Sequence, residues 1–342
     1  HQRADPDLAL RQPAQRRRHE RVGTDHQGER IQADFDRMGA AGPADHIAGQ
    51  KHHARHRGGA ATVLSFVPHP LEVLAPHRAP RLINTYAEKE RLIEASHIDY
   101  LVCLPFTSEL ARMAAHSFVE EVLTGRLGLA HLIVGYDYRF GKGREGDIPF
   151  LVEKGLEMGF GVEILKPISH NGQVYSSTFI RKLIAEGKVD EVVPYLGRHF
   201  KLDGTVRHGF RRGRVLGFPT ANLIPDAKII PRPGVYAVKV RCRGRVWDGV
   251  LNIGYNPTFS QNELSVEVHI LDFSEIIYDE KIVLFFVQRL RDEARFHSRG
   301  ELHRAIERDV GQARELLKNT RIIEYREYLH GDGETAGKGN RG

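Results

Sequence analysis

Cysteine and long apolar segments are scarce in this sequence. Cys103 and Cys242 are its only two cysteines, they lie far apart, and no C-x-x-C spacing occurs, so neither a disulfide framework nor a cysteine metal site is expected. Each lies in an apolar or alternating stretch, which favours inert core thiols over nucleophiles. The longest strongly apolar run, residues 282–287, is far shorter than the about 20 residues that cross a bilayer. Because no secretory signal pattern is found either, we expect a cytoplasmic protein with no membrane partner.

Composition excludes the disordered and fibrous classes. The 342 residues are 41% hydrophobic and 27% charged, as in a soluble globular protein, and the length suits two ordinary domains. The net charge of +6 suits an anionic partner, but it does not distinguish nucleic acid from nucleotide phosphate.

Residues 1–57 lack the features of a folded domain. They contain ten arginines, one lysine and seven of the 19 histidines, and their few large apolar residues share no extended period. A basic nucleic-acid arm at Arg16, Arg17 and Arg18 and a metal site in KHHARH (51–56) are two functional interpretations. No aromatic residues interleave and no carboxylate or cysteine completes a ligand set, which favours a solvated tail or translation of a wrong reading frame. We therefore expect residues 1–57 to be an aberrant, disordered segment.

A regular alternation of strands and helices begins at about residue 58. The strand-like runs are apolar enough to be covered on both faces. The predicted strands are residues 63–67, 100–106, 131–138 and 162–165, and the predicted helices are 87–96, 117–124 and 148–158. This pattern predicts a doubly wound α/β domain with a parallel sheet over residues 58–196, in which ligands bind at the carboxyl ends of the strands.

Beyond this domain the hydrophobic period changes to two. Alternating strands are predicted at 236–242, 264–270 and 282–287, and short turns between consecutive strands indicate an antiparallel barrel or sandwich. A final amphipathic helix follows, with its apolar stripe formed by Leu302, Ala305, Ile306, Val310, Ala313 and Leu317. We predict a second domain over residues 197–320 and a disordered tail over 321–342.

Glycine and arginine are concentrated in GTVRHGFRRGRVLGFPTAN (204–222). Four glycines and four arginines in this stretch would let backbone amides approach an anion while guanidinium groups balance its charge. That chemistry suits a polyphosphate. The stretch matches neither a Walker A motif nor G-x-G-x-x-G, so the pattern alone leaves an exposed basic loop equally open.

The second domain also resembles a known enzyme domain. GRVLGFPTAN (213–222) is followed by GVYAV (234–238), NIGYNPTF (252–259) and VEVHILDF (266–273). In order and spacing these strings are similar to the riboflavin kinase domain of the bacterial bifunctional riboflavin kinase/FMN adenylyltransferases, also called FAD synthetases.

The resemblance implies site residues for a kinase. Thr220 and Asn222 would bind Mg²⁺ and the ATP phosphates, and Glu267 would orient and deprotonate the ribityl hydroxyl of riboflavin. The loop from Gly204 to Gly217 would fold over the nucleotide, and Gly204, Gly213 and Gly217 within it would bind ATP.

The residues themselves permit these roles. Thr220 and Asn222 offer neutral oxygens two residues apart, hence on one face of an extended segment, and phosphoryl transfer needs a metal clamp and a proton acceptor. Glu267 shares a strand face with Ser265 and His269, opposite the apolar residues of that strand. Without the resemblance, a solvated strand carboxylate would be favoured for Glu267. His269 is interpreted as a packing or hydrogen-bonding residue with no catalytic role.

Three strings in and just after the first domain's sheet resemble the FMN adenylyltransferase half of the same family. They are FVPHP (66–70), VGYDYRFGKGREGD (134–147) and YSSTFIRKLI (175–184), and the resemblance implies a Rossmann-like nucleotidyltransferase fold. It also implies nucleotide- or flavin-binding roles for His69, Asp137, Arg139, Phe140, Ser176, Ser177, Thr178 and Arg181. The serines and threonine fit a helix N-cap whose first amides favour an anion, and a plain cap without a ligand explains them equally well.

The chain lacks the catalytic signature of that half. The family's first strand ends in G-x-F-D-x-x-H-x-G-H, whose two histidines neutralise charge on the α-phosphate as pyrophosphate leaves, and no H-x-G-H occurs among the 342 residues. Ala33-Asp34-Phe35-Asp36 is a superficial echo without a preceding apolar strand. We therefore expect an unpaired sheet edge beside residues 63–67 and adenylyl transfer that is lost or weak. A frame error in a GC-rich gene would give such a segment, and resequencing the gene tests this hypothesis.

The sequence thus predicts an enzyme of flavin-nucleotide synthesis. An incomplete Rossmann-like α/β domain precedes an antiparallel barrel, six-stranded or similar, with a C-terminal helix, and the predicted reaction converts riboflavin and MgATP to FMN and ADP. Two alternatives stay open: a fully active bifunctional FAD synthase, and a silent flavin-binding or regulatory module. The predicted partners are riboflavin, FMN and ATP, with Mg²⁺ as cofactor and no nucleic acid. The oligomeric state is left open.

Overall fold

The protein is described by a computed structural model over residues 10–11, 30–34, 58–96, 98–208, 217–256 and 263–324. It divides into two compact units. The first contains the chain up to Pro80 together with Tyr86–Tyr175, and the second contains Arg81–Thr85 and the chain from Ser176 to Tyr328. The predicted boundary at 196/197 stays a prediction, since the second unit also includes the helix that precedes it. Within the described ranges, no helix is long and apolar enough to cross a membrane.

The first unit is built on a six-stranded sheet. Its strands are β1 (Leu10–Arg11), β2 (Arg30–Asp34), β3 (Ala60–Val67), β4 (Tyr100–Pro105), β5 (Leu129–Gly135) and β6 (Gly161–Leu165). Their order is β1-β4-β3-β2-β5-β6, with β1 antiparallel to its neighbour and all other pairs parallel. The predicted parallel α/β sheet is therefore confirmed. A two-stranded ribbon follows, formed by β7 (Ser169–His170) and β8 (Gln173–Val174).

Helices cover both faces of this sheet. They are α1 (Pro70–Leu74), α2 (Tyr86–Ala95), α3 (Ser108–Arg112), α4 (Ala115–Ser117), a π-helix (Phe118–Arg126) and α5 (Ile148–Met158). Successive strand side chains point to opposite faces, so Val63 packs in the cluster that contains Ile93 of α2. Its neighbour Leu64 packs in the cluster that contains Val119 and Leu151. Strands buried on both faces explain the near-continuous apolar runs of the sequence.

The expectation of an unpaired edge beside residues 63–67 is wrong. β2 pairs in parallel with β3, from Arg30↔Ala60 to Asp34↔Leu64, and on its other side with β5. The reason is that a strand between two others satisfies backbone donors and acceptors on both sides whatever its side chains are. The sequence RIQAD carries too little apolar alternation to reveal this. The remainder of 1–57, apart from β1, lies outside the described residues, so its predicted disorder stays a prediction.

The second unit contains a closed antiparallel barrel. After α6 (Ser177–Glu186) and α7 (Val193–Leu196), its six strands are β9 (Lys201–Arg207), β10 (Ala221–Pro225), β11 (Gly234–Cys242), β12 (Arg245–Asn256), β13 (Glu263–Ile270) and β14 (Lys281–Arg291). They close in the order β10-β13-β12-β11-β14-β9, which confirms the predicted antiparallel barrel. Tyr236, Phe286 and Leu251 are completely buried in its core. Burial also raises the pKa of the Cys242 thiol, in keeping with the inert core thiol that was predicted.

A C-terminal helix, α8 (Arg299–Leu317), packs on the barrel. The predicted stripe is confirmed in part: Ala313 and Leu317 are buried in a cluster with Val235 and Ala237 of β11, Ala305 is also buried, and the other three residues are half-buried. The stripe also contains a charged residue that the apolar pattern did not reveal. Asp309 is only 5% exposed, and it is compensated by three hydrogen bonds from the Arg291 guanidinium, 2.8 to 3.2 Å long.

The chain remains attached to the second unit just beyond α8. The Ile323 amide donates to His199 Nδ1 over 2.9 Å, and the His199 amide donates to the Ile323 carbonyl over 3.1 Å. Burial lowers the pKa of His199, which keeps Nδ1 available as an acceptor at neutral pH. The disordered tail was predicted from residue 321. The structure describes the chain through Glu324, and residues 325–342 lie outside the described part.

Candidate functional site

Three predicted kinase residues lie together on the barrel. Asn222 of β10 is the direct cross-strand partner of Glu267 of β13, and Thr220 immediately precedes β10. The Thr220 hydroxyl donates to Glu267, with 3.4 Å between Oγ1 and Oε2. Val266 and Val268 are buried on either side of Glu267 in the strand, so the carboxylate points away from the core as the alternation predicted. A hydroxyl, an amide and a carboxylate therefore converge on one patch of the barrel wall.

The loop before Thr220 is fixed by His269. His269 Nδ1 lies 2.8 Å from the carbonyl oxygen of Pro219, and because a carbonyl only accepts, the ring carries its proton on Nδ1. Phe218 packs edge-to-face on His269, with 5.6 Å between ring centroids, and also contacts His303 of α8 at 5.2 Å. The interpretation of His269 as a packing and hydrogen-bonding residue is confirmed. Its contact holds the residue next to Thr220.

The three predicted ATP-binding glycines have different positions. Gly204 is buried within β9, where an added Cβ would lie 2.4 Å from the carbonyl oxygen of Ile224, so barrel packing alone requires glycine there. Gly217 is exposed and has a φ of +81°, the left-handed backbone that favours glycine. Gly213 lies outside the described residues. The expected loop therefore starts after β9 and not at Gly204, and the ATP-binding roles stay predictions.

In the first unit, His69 directly follows the carboxyl end of β3. Its Nδ1 accepts from the Leu71 amide over 3.2 Å and so caps α1, while its own amide donates to the Tyr86 hydroxyl over 2.8 Å. Asp137, Arg139 and Phe140 follow the carboxyl end of β5. Because β3 and β5 are the parallel neighbours of β2, all four residues follow strand ends at the ligand-binding edge of the sheet.

The loop after β5 is braced by aromatic and ionic contacts. Phe140 stacks on Tyr138 at 5.5 Å between centroids and contacts Phe118 at 5.7 Å. Arg139 forms an ion pair with Asp147 over 2.9 Å, and Asp147 also caps α5. Asp137 is exposed. An apolar wall with a charged rim of this kind can receive a planar, partly polar ligand.

The remaining four candidates belong to the second unit. Ser176 is the N-cap of α6, and its hydroxyl accepts from the Phe179 amide over 3.2 Å. The cap explanation of Ser176 is thus confirmed. Ser177 and Thr178 begin the first turn, and Arg181 Nε donates to the Arg81 carbonyl over 2.8 Å. A capped helix start followed by an arginine is suited to an anion.

The oxygen donors of the barrel patch suit Mg²⁺. In the part of the chain that the structure describes, no cluster of three or more His, Cys, Asp or Glu residues is placed to hold a metal ion. Mg²⁺ prefers oxygen ligands and usually combines one or two protein oxygens with water and substrate phosphates. The Thr220 hydroxyl and the Asn222 amide oxygen meet that requirement without a dedicated cage.

Comparisons with known proteins extend across both units. A family model described as riboflavin kinase matches residues 196–317, and one described as FAD synthetase matches residues 42–179. The bifunctional riboflavin kinase/FMN adenylyltransferase of Pseudomonas fluorescens is 37% identical over 79% of this chain and 87% of its own length. The proteins of the same name from Escherichia coli (strain K12) and Bacillus subtilis (strain 168) are 36% and 32% identical, each over 80% of this chain and 88% of its own length.

A solved structure is similar over most of the chain. This crystal structure, described as a macrolide-efflux protein from Streptococcus pneumoniae, is 28% identical with a TM-score of 0.74, and the match covers 88% of this chain and 96% of that one. The curated relatives exceed 30% identity over most of their own length, and the two family models cover the two halves of the chain in order. The chain belongs to the bifunctional riboflavin kinase/FMN adenylyltransferase family.

Proposed function

We propose that the barrel transfers the γ-phosphoryl group of MgATP to the ribityl hydroxyl of riboflavin and releases FMN and ADP. The observation that carries this proposal is the convergence of Thr220, Asn222 and Glu267 on adjacent segments, with 3.4 Å between the Thr220 hydroxyl and the Glu267 carboxylate. Phosphoryl transfer requires positioning, charge neutralisation and a proton acceptor, and these three side chains are of the types needed.

Each side chain has a distinct role in this proposal. Glu267 accepts the proton of the attacking hydroxyl, so that the oxygen develops nucleophilic character as the bond to phosphorus forms. Thr220 and Asn222 would hold Mg²⁺, which when bound neutralises charge on the ATP phosphates. Before substrate binds, the hydroxyl of Thr220 keeps the Glu267 carboxylate oriented. The part of the glycine- and arginine-rich stretch that follows β9 supplies further contacts to phosphate.

For adenylyl transfer to FMN, the family's second reaction, we propose binding without efficient catalysis. His69, Asp137, Arg139 and Phe140 would contact flavin and nucleotide, while Ser176, Ser177, Thr178 and Arg181 would bind phosphate. The absence of H-x-G-H from the sequence favours weak or lost adenylyl transfer, because in the family those two histidines supply the preorganised donors. A frame error over residues 1–57 would explain the loss, and an intact H-x-G-H encoded in another frame of the gene would support that explanation.

One incubation of the purified chain with riboflavin and MgATP tests the proposal. Products are separated by chromatography and detected by flavin fluorescence. Formation of FMN alone supports the proposed function, and formation of FMN with comparable FAD supports a fully bifunctional enzyme. If no product forms, the chain is a silent flavin-binding module.

Thr220→Ala is expected to act through the metal. Loss of one oxygen ligand should raise the Mg²⁺ concentration required for half-maximal FMN formation by about 10-fold or more, and excess Mg²⁺ should restore part of the rate. Thr220→Ser, which keeps the hydroxyl, is the matched control and should need nearly the wild-type Mg²⁺ concentration. The measurement is a Mg²⁺ titration at saturating ATP and riboflavin. A defect in Thr220→Ala that does not respond to Mg²⁺ would restrict Thr220 to packing the loop.

His269→Ala is expected to loosen the same site indirectly. Removing the hydrogen bond to Pro219 should lower kcat about 10-fold, since small displacements of a positioned group are costly in phosphoryl transfer. His269→Asn places an amide N–H near the position of Nδ1 and should recover most of the loss. Steady-state kinetics of the two variants, with thermal unfolding as a control for stability, check this. Equal losses in both variants would argue against the hydrogen bond as the cause.

A further inference from the structure

The row of polar residues on the barrel extends beyond the predicted site. Glu267 of β13 lies between two cross-strand partners, Asn222 of β10 on one side and Asn252 of β12 on the other. Directly opposed residues have Cβ atoms about 4.5 to 5.5 Å apart, so the two amides flank the carboxylate at similar distances. Asn252 lies in the NIGYNPTF string, and no role was predicted for it from the sequence.

Asn252 has a side chain suited to a ligand. It is half-buried between Leu251 and Ile253, which are completely buried, so its amide points away from the core beside Glu267. Within the described ranges, no hydrogen bond from this amide to another residue is found. This amide therefore keeps its donor and acceptor available to water or a ligand.

Next to Asn252, a glycine makes room for the carboxylate of Glu293. Gly254 lies two residues further along β12, on the same face, and is buried. An added Cβ there would lie 2.4 Å from Glu293 Oε1 and 3.4 Å from Asn252 Nδ2. Ser265, the cross-strand partner of Gly254, donates its hydroxyl to the Gly254 carbonyl over 3.2 Å. The Glu293 carboxylate over Gly254 and the adjacent Asn252 amide thus border one niche, and together they can donate to and accept from hydroxyl groups.

The order of these residues on the barrel indicates on which side of Glu267 the phosphate acceptor binds. If Thr220 and Asn222 hold the phosphate donor and Glu267 takes the proton of the acceptor, in-line transfer places the acceptor on the side of Glu267 away from Asn222. Resting on the proposed kinase function, we propose that Asn252 and Glu293 form a polyol-binding niche over Gly254. This niche binds the secondary hydroxyls of the ribityl chain and selects acceptors that carry them.

The test compares Asn252→Leu, which keeps the volume of the side chain but removes its polar atoms, with wild type. We expect the KM for riboflavin to rise about 10-fold while the KM for ATP stays within about twofold. Gln288→Ala, which removes an exposed amide elsewhere on the barrel, is the matched control and should leave both constants unchanged. Gly254→Ala should also raise the KM for riboflavin, because its methyl group would displace the Glu293 carboxylate.

Acceptor analogues identify the contact itself. Riboflavin and its 2′-, 3′- and 4′-deoxy analogues are assayed with wild type and Asn252→Leu, and the effect of the substitution should disappear for the analogue that lacks the bound hydroxyl. An unchanged riboflavin KM in Asn252→Leu, an equal rise in the KM for ATP, or the same effect on every analogue would overturn the niche. Absence of FMN from wild-type protein would instead overturn the kinase function on which the niche rests.

Discussion

Glu267→Gln is expected to lower the kcat for FMN formation by about two to four orders of magnitude, the usual contribution of a general base. The amide keeps the size of the side chain and can still accept the hydrogen bond from Thr220, but it cannot take a proton from the ribityl hydroxyl. Fold and flavin binding should therefore be preserved. The loss should appear in kcat and in kcat/KM alike, as for an interaction made mainly in the transition state.

The measurement is the initial rate of FMN formation, with flavin affinity from fluorescence quenching in the same samples. Glu315→Gln removes an exposed carboxylate of α8 in the same unit and should leave the rate unchanged. If Glu267→Gln turns over at the wild-type rate, Glu267 is a solvated strand carboxylate, the interpretation that its position on an outward strand face would otherwise favour.

FAD formation from FMN and MgATP is expected to be at least about 1,000-fold slower than FMN formation from riboflavin. Transfer to the α-phosphate gathers negative charge on its oxygens, and each preorganised donor at that point contributes about two to three orders of magnitude in rate. The sequence contains no H-x-G-H. The proposed nucleotide binding through Ser176 and Arg181 should persist, since it depends on a helix start and not on those histidines.

The sheet that would support adenylyl transfer is more complete than the sequence suggested. β2 occupies the position beside β3 and β5, so a graft need only replace residues 35–57 with a family segment that carries H-x-G-H. We expect this graft to restore FAD and pyrophosphate formation without changing FMN production. FAD formation by the unmodified chain at a rate comparable with the kinase step would contradict the proposed loss, and failure of the graft would point to damage elsewhere in the unit.

Much of the fold could be predicted from the sequence, because alternating strands and strands buried on both faces have distinct hydrophobic patterns. β11 and β13 combine strict period-two patterns with short connections, and β3, β4 and β5 are apolar because helices cover both faces of the sheet. Thr220, Asn222 and Glu267 were found through linked motifs, and β10 and β13 bring them together as cross-strand partners. The alternation of apolar and polar residues in β13 also indicated that Glu267 faces away from the core.

Features that depend on backbone pairing, or on contacts with residues far along the chain, could not be predicted from the sequence. β2 is short and polar, and its place in the sheet depends on neighbours far along the chain. β9 was not predicted, because its last residues belong to the glycine- and arginine-rich stretch. Gly204 serves close packing in this strand and not a loop. Asp309 is polar within an apolar stripe, and only Arg291 from another element explains its burial. The proposed role of Asn252 depends on strand register, because a one-residue shift would move its side chain to the other face of the sheet.

Transfer of the terminal phosphoryl group is the most direct test of the central claim. The full chain is incubated with riboflavin, Mg²⁺ and ATP labelled with ³²P in the γ-position, and labelled FMN is measured against ADP. We expect label in FMN in a one-to-one ratio with ADP, at a rate that Glu267→Gln reduces at least 100-fold. ATP consumption without labelled FMN, or no consumption at all under conditions where the chain is folded, would contradict the proposal that this barrel is a riboflavin kinase.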